Sequence, residues 1–272
     1  DISLTVTAEN GAGVRAQNRM VFNVDNNPPE VEITAPQELR ATQNPWVRSV
    51  DGRISLTGEF SYGLCGVQTL TINGFEVSNF TQSSFEISLP IDEGPDILNI
   101  EITDEALNRK LEFKPLKIDA STPTISFLDP NTNIILDDEP IVASSEYSLL
   151  VTLQDPDIIQ ENDAGERINR GSSGLDVRTF SIKINDETVL TEAVTNGFED
   201  PSAKLLSTII TAPLNEGRNV IEVSISDNVN NQRTQSFSVV RDQTAPRVTI
   251  LSPNVGKKVA LPAVVKVETF ED

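Results

Sequence analysis

Residues 227–253, DNVNNQRTQSFSVVRDQTAPRVTILSP, contain the pattern that decides the fold: a turn that opens at Asp227, an alternating run, Asp242, and then Pro246 and Pro253. The pattern occurs twice more upstream. Asp104 precedes Asp119, Pro123 and Pro130, and Asn10 precedes Asp25, Pro29 and Pro36; in all three copies the spacings are 15, 4 and 7 residues. A pattern that recurs at fixed spacing predicts consecutive copies of one domain.

The composition favours strands separated by turns. The chain has 272 residues, of which 38% are hydrophobic, 16 are proline and 14 are glycine. This length is typical of one to three domains, and the runs of Thr, Val and Ile between Gly and Pro residues are typical of strands. Each repeat has about seven short strands with turns roughly every 8–12 residues, so we expect an all-β fold of tandem, antiparallel β-sandwiches of immunoglobulin type.

The spacing also gives domain boundaries. The linker aspartates Asp25, Asp119 and Asp242 are separated by 94 and 123 residues, which predicts complete domains at 28–121 and 122–244. Residues 1–27 and 245–272 are each read as two strands of an incomplete domain. We place the extra length of the second repeat in Asp155–Gly174, as a solvated surface loop, and in Asn196–Lys204. The incomplete ends predict either a longer chain with neighbouring Ig-like domains or neighbouring molecules in a head-to-tail fibre.

Local patterns place the strands within each repeat. In the first repeat, Ile54-Ser-Leu-Thr57 predicts a second strand that is followed by a loop from Glu59 to Gly66. Asn73-Gly74 predicts a tight hairpin, and Asn185-Asp186 occupies the matching position in the second repeat. The stretch Ala41–Val50 has no clear pattern and is left unplaced.

Charge and cysteine content exclude several classes of function. The formal net charge of −20 argues against nucleic acid and anionic membranes as partners, because both require a basic face. No apolar run is long enough for membrane insertion of this segment. Cys65 is the only cysteine and the chain has no histidine, so we expect a structural thiol at Cys65 and neither a catalytic triad nor a zinc site.

The end of each repeat carries a resemblance to a known group of domains. Residues 216–227 read Glu-Gly-Arg-Asn-Val-Ile-Glu-Val-Ser-Ile-Ser-Asp, followed by a closing strand, Asp242 and Pro246. This arrangement resembles bacterial Ig-like repeat domains, which occur in tandem in large surface and secreted proteins. The resemblance implies an extracellular or cell-surface location and a role in a stalk, an adhesin, a filament or an enzyme appendage. Asn10 in place of Asp, and the long insertion, depart from this pattern.

The acidic residues at the domain junctions have two interpretations. In an immunoglobulin-type sandwich, the end of the last strand lies beside two loops of the following domain. The residues expected there are Asp119, Asp155, Asp157 and Asp227 at the middle junction, and Asp25, Glu59 and Asp104 at the first. Since Ca²⁺ takes about six to eight oxygen ligands, both groups are candidate interdomain calcium sites. The alternative requires no cofactor: the proline stiffens the linker, and Asp104 and Asp227 cap their own turns.

The sequence favours a non-catalytic structural spacer, rigidified at the Asp-x-x-x-Pro junctions, in a bacterial extracellular multidomain protein. The alternative is a binding module, either an adhesin tip or a carbohydrate-binding appendage of a secreted hydrolase. Trp46 and Tyr62 are the candidate sugar-stacking side chains for that alternative, although a single Trp is more often a strand-packing residue. Carboxylate pairs for glycoside hydrolysis do not stand out from the acidic background.

Overall fold

The computed structural model describes residues 2–41, 43–78, 81, 83–136, 139–189, 203–262 and 264–270. The chain forms two compact units: residues 1–121 with 156–173 (unit 1), and residues 122–155 with 174–272 (unit 2). None of the described residues lies in a helix that is long and apolar enough to cross a membrane.

The elements in chain order are β1 (Ile2–Glu9), β2 (Arg15–Phe22), β3 (Glu30–Ala35), α1 (Glu38–Ala41), β4 (Trp46–Arg48), β5 (Arg53–Ser61), β6 (Val67–Ile72), β7 (Phe75–Glu76), β8 (Ser84–Pro90), β9 (Gly94–Asp104), β10 (Arg109–Asp119), β11 (Thr124–Leu128), β12 (Ile141–Val142), β13 (Glu146–Gln154), β14 (Ile158–Glu161), β15 (Arg167–Gly171), β16 (Leu175–Ile184), β17 (Glu187–Thr188), β18 (Leu205–Pro213), β19 (Gly217–Asp227), β20 (Gln232–Arg241), β21 (Arg247–Ser252) and β22 (Lys266–Phe270).

Unit 1 contains a sandwich of two sheets. Their strand orders are β3-β5-β8 and β4-β10-β9-β6-β7. All neighbours are antiparallel except β4 and β10, which run parallel. Alternate residues of both sheets bury one apolar cluster, in which Ile33, Leu56, Leu70, Leu98 and Leu116 are among the fully buried side chains. This is the arrangement that period-2 strands adopt when each sheet has one buried face.

Unit 2 repeats the same topology. Its sheets have the orders β11-β13-β18 and β12-β20-β19-β16-β17, with β12 parallel to β20 and the remaining pairs antiparallel. A second apolar cluster fills it, with Leu149, Val151, Ile221, Val223 and Val239 fully buried. The predicted fold class, tandem antiparallel sandwiches of immunoglobulin type, is confirmed.

Both predicted hairpin turns form. Asn73 and Gly74 have φ angles of 51° and 79°, and Asn185 and Asp186 have φ angles of 52° and 68°. Positive φ at both central residues defines the type I′ turn, whose twist matches that of the flanking strands. Asn and Gly tolerate this region of the backbone map better than other residues, which is why the dipeptides were informative.

One prediction for the first repeat was wrong, and one stretch without a prediction contains a strand. The second strand does not end at Thr57: β5 continues to Ser61, so Glu59 lies on a strand rather than in a loop. The unplaced stretch Ala41–Val50 includes β4, which pairs in parallel with the last residues of β10.

The expected solvated loop at Asp155–Gly174 is a β-hairpin. β14 and β15 pair antiparallel, and Asn162 organises the turn because its Oδ1 accepts hydrogen bonds from the backbone N–H groups of Ala164 and Glu166 at 3.0 and 2.8 Å. Ile158 is buried. Residues 156–173 belong to unit 1, although they interrupt the second repeat in sequence. Of the other predicted insertion, residues 196–202 lie outside the described residues.

The terminal segments are two-stranded hairpins with exposed apolar faces. β1 pairs with β2, and β21 pairs with β22. Leu4 and Val6 on β1 are 52% and 60% exposed, whereas Leu98 and Ile100, at the corresponding repeat positions of β9, are buried. The repeated sequence therefore places apolar residues at core positions in these hairpins, and no described sheet covers them.

This pair of equivalent positions gives a test of the core. Leu98→Ala should lower the free energy of unfolding by about 2–5 kcal/mol, because it leaves a cavity between the two sheets of unit 1. Leu4→Ala should change it by no more than about 0.5 kcal/mol, because Leu4 is exposed. Denaturant unfolding of the full chain measures both values, and equal losses would contradict the assigned core.

Candidate functional site

The first linker aspartate, Asp25, joins the linker to a loop of the sandwich that follows it. Its Oδ1 accepts a hydrogen bond from the backbone N–H of Asn27 at 3.1 Å. Its Oδ2 accepts hydrogen bonds from the N–H groups of Leu64 and Cys65 at 2.8 and 3.0 Å. The side chain is buried, and a carboxylate that accepts several N–H bonds makes strong, charge-assisted contacts. One residue therefore holds both the linker and the β5–β6 loop.

Asp119, the second linker aspartate, makes the corresponding bonds. Its Oδ1 accepts from the N–H of Ser121 at 3.1 Å, and its Oδ2 accepts from the N–H of Ser173 at 2.8 Å. Ser173 lies two residues before β16, as Cys65 lies two residues before β6. The third linker aspartate, Asp242, accepts from Thr244 N–H at 2.8 Å. The i+2 bond thus occurs in all three linkers and the loop bond in the first two.

The turn aspartates Asp104 and Asp227 cap their own turns. The N–H and Nδ2 of Asn108 donate to Oδ1 and Oδ2 of Asp104 at 2.8 and 2.9 Å. Asn231 makes the same two bonds to Asp227, both at 2.7 Å. Both aspartates are completely buried, so these bonds satisfy carboxylates that would be costly to bury alone.

Two asparagines of this network were missed by the sequence analysis. Asn108 and Asn231 each lie four residues after a turn aspartate, and this spacing was a signal that could have identified them. Asn108 has a further role, because its Nδ2 also donates to the backbone carbonyl oxygen of Asp25 at 3.1 Å. The structure therefore brings Asp25 and Asp104 together through Asn108.

Glu59 and Asp157 lie apart from these contacts. Glu59 is exposed on β5, opposite Glu32 and Ser84 on the neighbouring strands. Asp157 precedes β14, and its Oδ2 accepts a hydrogen bond from Nδ2 of Asn169 at 2.7 Å across the inserted hairpin.

Among the residues that the structure describes, Asp155 and Asp227 are a pair of acidic residues that could hold a metal ion. Both are buried in unit 2, and their carboxylate oxygens lie within 4.8 Å of one another. Asp155 Oδ2 accepts from the N–H of Gly174 at 2.6 Å. The preceding N–H, that of Ser173, is the one that binds Asp119. Oxygen donors of this kind suit a hard cation such as Ca²⁺.

The first linker also shifts two pKa values. Hydrogen bonds from the N–H groups of Asn27 and Cys65 lower the pKa of Asp25. Burial, together with the charge of Asp25, raises the pKa of the Cys65 thiol. Because a raised pKa keeps the group protonated, half-buried Cys65 is a poor nucleophile.

The candidate sugar-stacking residues have different neighbours. Trp46 on β4 lies beneath the ammonium group of Lys117, whose Nζ is 4.7 Å from the ring centroid, a cation–π contact. Tyr62 lies next to Phe60, with 6.3 Å between their ring centroids. The structure thus gives each ring a separate packing role.

No protein-family model matches the sequence, and no curated protein is significantly similar to it. Solved structures that resemble the chain include the fibronectin(III)-like modules of Clostridium thermocellum CbhA, with 12% identity, a TM-score of 0.35, and coverage of 78% of this chain and 94% of that one. A titin crystal structure shares 11% identity, with a TM-score of 0.38 and coverage of 87% and 72%. A Ca²⁺-stabilized adhesin of an Antarctic bacterium that binds ice shares 16% identity, with a TM-score of 0.32 and coverage of 91% and 59%. Because these identities and TM-scores are low, the fold is assigned from the strand order and pairing of this chain's own sheets.

The lowered pKa of Asp25 predicts a pH-dependent contribution to stability. A carboxylate whose pKa is lower in the folded state stabilises the fold above its unfolded pKa of about 3.9, and this contribution is lost as pH falls through the folded value. Asp25→Asn should therefore lower the melting temperature at pH 7, and the difference from the wild type should shrink below about pH 4.

Thermal unfolding between pH 7 and pH 2 measures this difference. Asp242→Asn is the matched control, because Asp242 is an exposed linker aspartate and should give a small effect at every pH. A difference between wild type and Asp25→Asn that stays constant down to pH 2 would contradict the assigned role of the Asp25 carboxylate.

Proposed function

We propose that this chain is a non-catalytic structural spacer within an extracellular multidomain protein, with sandwiches held in sequence by stiffened Asp-x-x-x-Pro linkers. The observation that carries the proposal is the recurrence of one hydrogen-bond arrangement at Asp25 and Asp119. In each linker the carboxylate binds the N–H two residues ahead and an N–H of a loop distant in sequence, the loop before β6 for Asp25 and the loop before β16 for Asp119.

Three features restrict bending at such a linker. The linker is short, with three residues between the aspartate and the proline. The proline fixes its own φ angle and favours an extended conformation for the residue before it. The aspartate restricts the linker backbone further, because its carboxylate is hydrogen-bonded both to the linker and to a loop that is distant in sequence. A chain of such units would keep its two ends at a fixed separation without a bound ligand. A stalk or filament requires this property.

The extracellular assignment rests on the sequence. The tail of each repeat resembles bacterial Ig-like domains of surface and secreted proteins, and the net charge of −20 gives a well-solvated surface. The competing function is a binding module, either an adhesin tip or a carbohydrate-binding appendage. Saturable binding of the full chain to a glycan or host-protein array would favour that function over the spacer.

Spin-label distance measurements test the stiffness directly. In a Cys65→Ser background, labels at exposed Glu86 and Arg233 report on the Asp119 linker. We expect a narrow distance distribution that broadens in Asp119→Asn, because the amide that replaces one carboxylate oxygen cannot accept both N–H bonds. Asp242→Asn is the control and should leave the distribution unchanged. A broad distribution in the unsubstituted chain would contradict the spacer.

We also propose that Ca²⁺ binds at Asp155 and Asp227 of unit 2. The support is the buried pair of carboxylates within 4.8 Å, one of which, that of Asp155, is also held by the N–H of Gly174. A divalent cation would offset the repulsion between these buried charges. No role in catalysis is implied, since the ion would stabilise the fold.

Calcium titration tests this second proposal. Calcium at about 100 times its dissociation constant should stabilise the fold by about 2.7 kcal/mol, which corresponds to a rise of roughly 5–11 °C in the melting temperature for a chain of this size. Asp227→Asn should abolish the rise, whereas Asp163→Asn, in the exposed hairpin turn, should retain it. The absence of both binding heat and a melting shift in the unsubstituted chain would contradict calcium binding.

A further inference from the structure

The inserted hairpin, residues 156–173, has contacts that the spacer function does not explain. It follows β13 and precedes β16 in sequence, both strands of unit 2, yet it packs as part of unit 1. A surface loop of this length and polarity would ordinarily be solvated. Instead, Ile158 and Ser172, at its two ends, are buried with exposed fractions of 6% and 5%.

Gln160 makes the central contact of the hairpin. Its Nε2 donates to the backbone carbonyl oxygen of Glu93, and its Oε1 accepts a hydrogen bond from Nε of Arg170 at 3.1 Å. The Arg170 bond fixes which end of the amide faces Glu93. Both groups of the side chain are therefore satisfied, and their orientation is defined within the hairpin itself.

Gly94 is the complementary residue on the sandwich. A Cβ atom at this position would lie 2.6 Å from Nε2 of Gln160, closer than non-bonded atoms approach. The φ angle of Gly94 is +104°, a conformation that residues with side chains rarely adopt. Glycine therefore meets two requirements here. It adopts the positive φ angle at the start of β9, and it leaves space for the Gln160 side chain beside the Gly94 backbone.

The contact continues from Glu93 to the linker. Oε1 of Glu93 accepts hydrogen bonds from the N–H of Ala120 and from Oγ of Ser121, both at 2.9 Å. At its other end the hairpin binds the linker again, because the N–H of Ser173 donates to Oδ2 of Asp119. Residues 119–121 are thus held through Glu93 on one side and through Asp119 on the other.

We propose that the hairpin of residues 156–173 is a built-in clasp: an interaction surface whose partner is the Glu93–Gly94 turn and the 119–121 linker of the same chain. The biological purpose of the clasp rests on the proposed spacer function. Its contacts do not depend on that proposal. The β5–β6 loop, which serves the first linker, has five residues, 62–66, and forms no such hairpin. The clasp therefore makes the linker after Asp119 more constrained than the linker after Asp25.

Amide hydrogen exchange of the full chain, resolved by NMR, tests the clasp. Gln160→Ala should accelerate exchange of the Ala120 and Ser121 N–H groups about fivefold, the effect of losing one net hydrogen bond. Ile158→Ala removes a buried apolar side chain of the hairpin without changing the Gln160 amide, and it should act in the same direction. Asp163→Ala, in the exposed turn, is the control and should leave both rates unchanged.

The outcomes separate the clasp from the spacer. Unchanged rates at Ala120 and Ser121 in both variants, with faster exchange confined to the hairpin, would overturn the clasp and leave the spacer intact. Accelerated exchange at both residues supports the clasp. It does so even if spin labels show a broad distribution in the unsubstituted chain, a result that overturns only the spacer.

Discussion

The structure depends on two buried linker aspartates, Asp25 and Asp119, each of which lies directly before a sandwich repeat. At Asp25 and Asp119, the carboxylate accepts an N–H from its own linker and at least one from a loop that is distant in sequence. Such bonds are charge-assisted, and a buried carboxylate without them would be strongly unfavourable. The folded loop and the folded linker therefore require each other.

The remaining polar residues of the sandwich ends support this interaction. Asp104 and Asp227 satisfy themselves within their own turns, and Asn108 extends the first turn to the carbonyl oxygen of Asp25. The inserted hairpin supplies the second linker with additional bonds through Glu93 and Ser173. Small repeated polar networks of this kind hold loops against strands without enlarging the apolar core. In a chain that is rich in acidic residues, aspartate carboxylates provide the hydrogen-bond acceptors for these networks.

The sequence predicted the features that are local. Alternation of apolar residues identified most strands, because one face of each sheet is buried. Asn73-Gly74 and Asn185-Asp186 identified hairpins, because those dipeptides tolerate positive φ at both positions. The repeat spacing located the linker aspartates, of which Asp25 and Asp119 are buried. The first two signals depend on residues that are close in sequence, and the third depends on the spacing of the repeats.

Features that depend on distant partners were not predictable. β4 is three residues long and is defined by its parallel partner, β10, so Trp46–Arg48 carries no pattern of its own. Glu59 belongs to a strand because its neighbours on two sides continue the ladder. The inserted hairpin reads as a polar loop, since Gln160 and Arg170 acquire their roles only from contacts with each other and with Glu93.

The pKa of Asp25 in the intact chain tests the central interaction most directly. The carboxyl carbon of Asp25 and the amide signals of Asn27, Leu64 and Cys65 can be followed by NMR as the pH is lowered from 6 to 2. We expect one shared midpoint, below the ordinary aspartate value of about 3.9. A midpoint near that ordinary value, or amide signals that do not follow the carboxyl group, would contradict it.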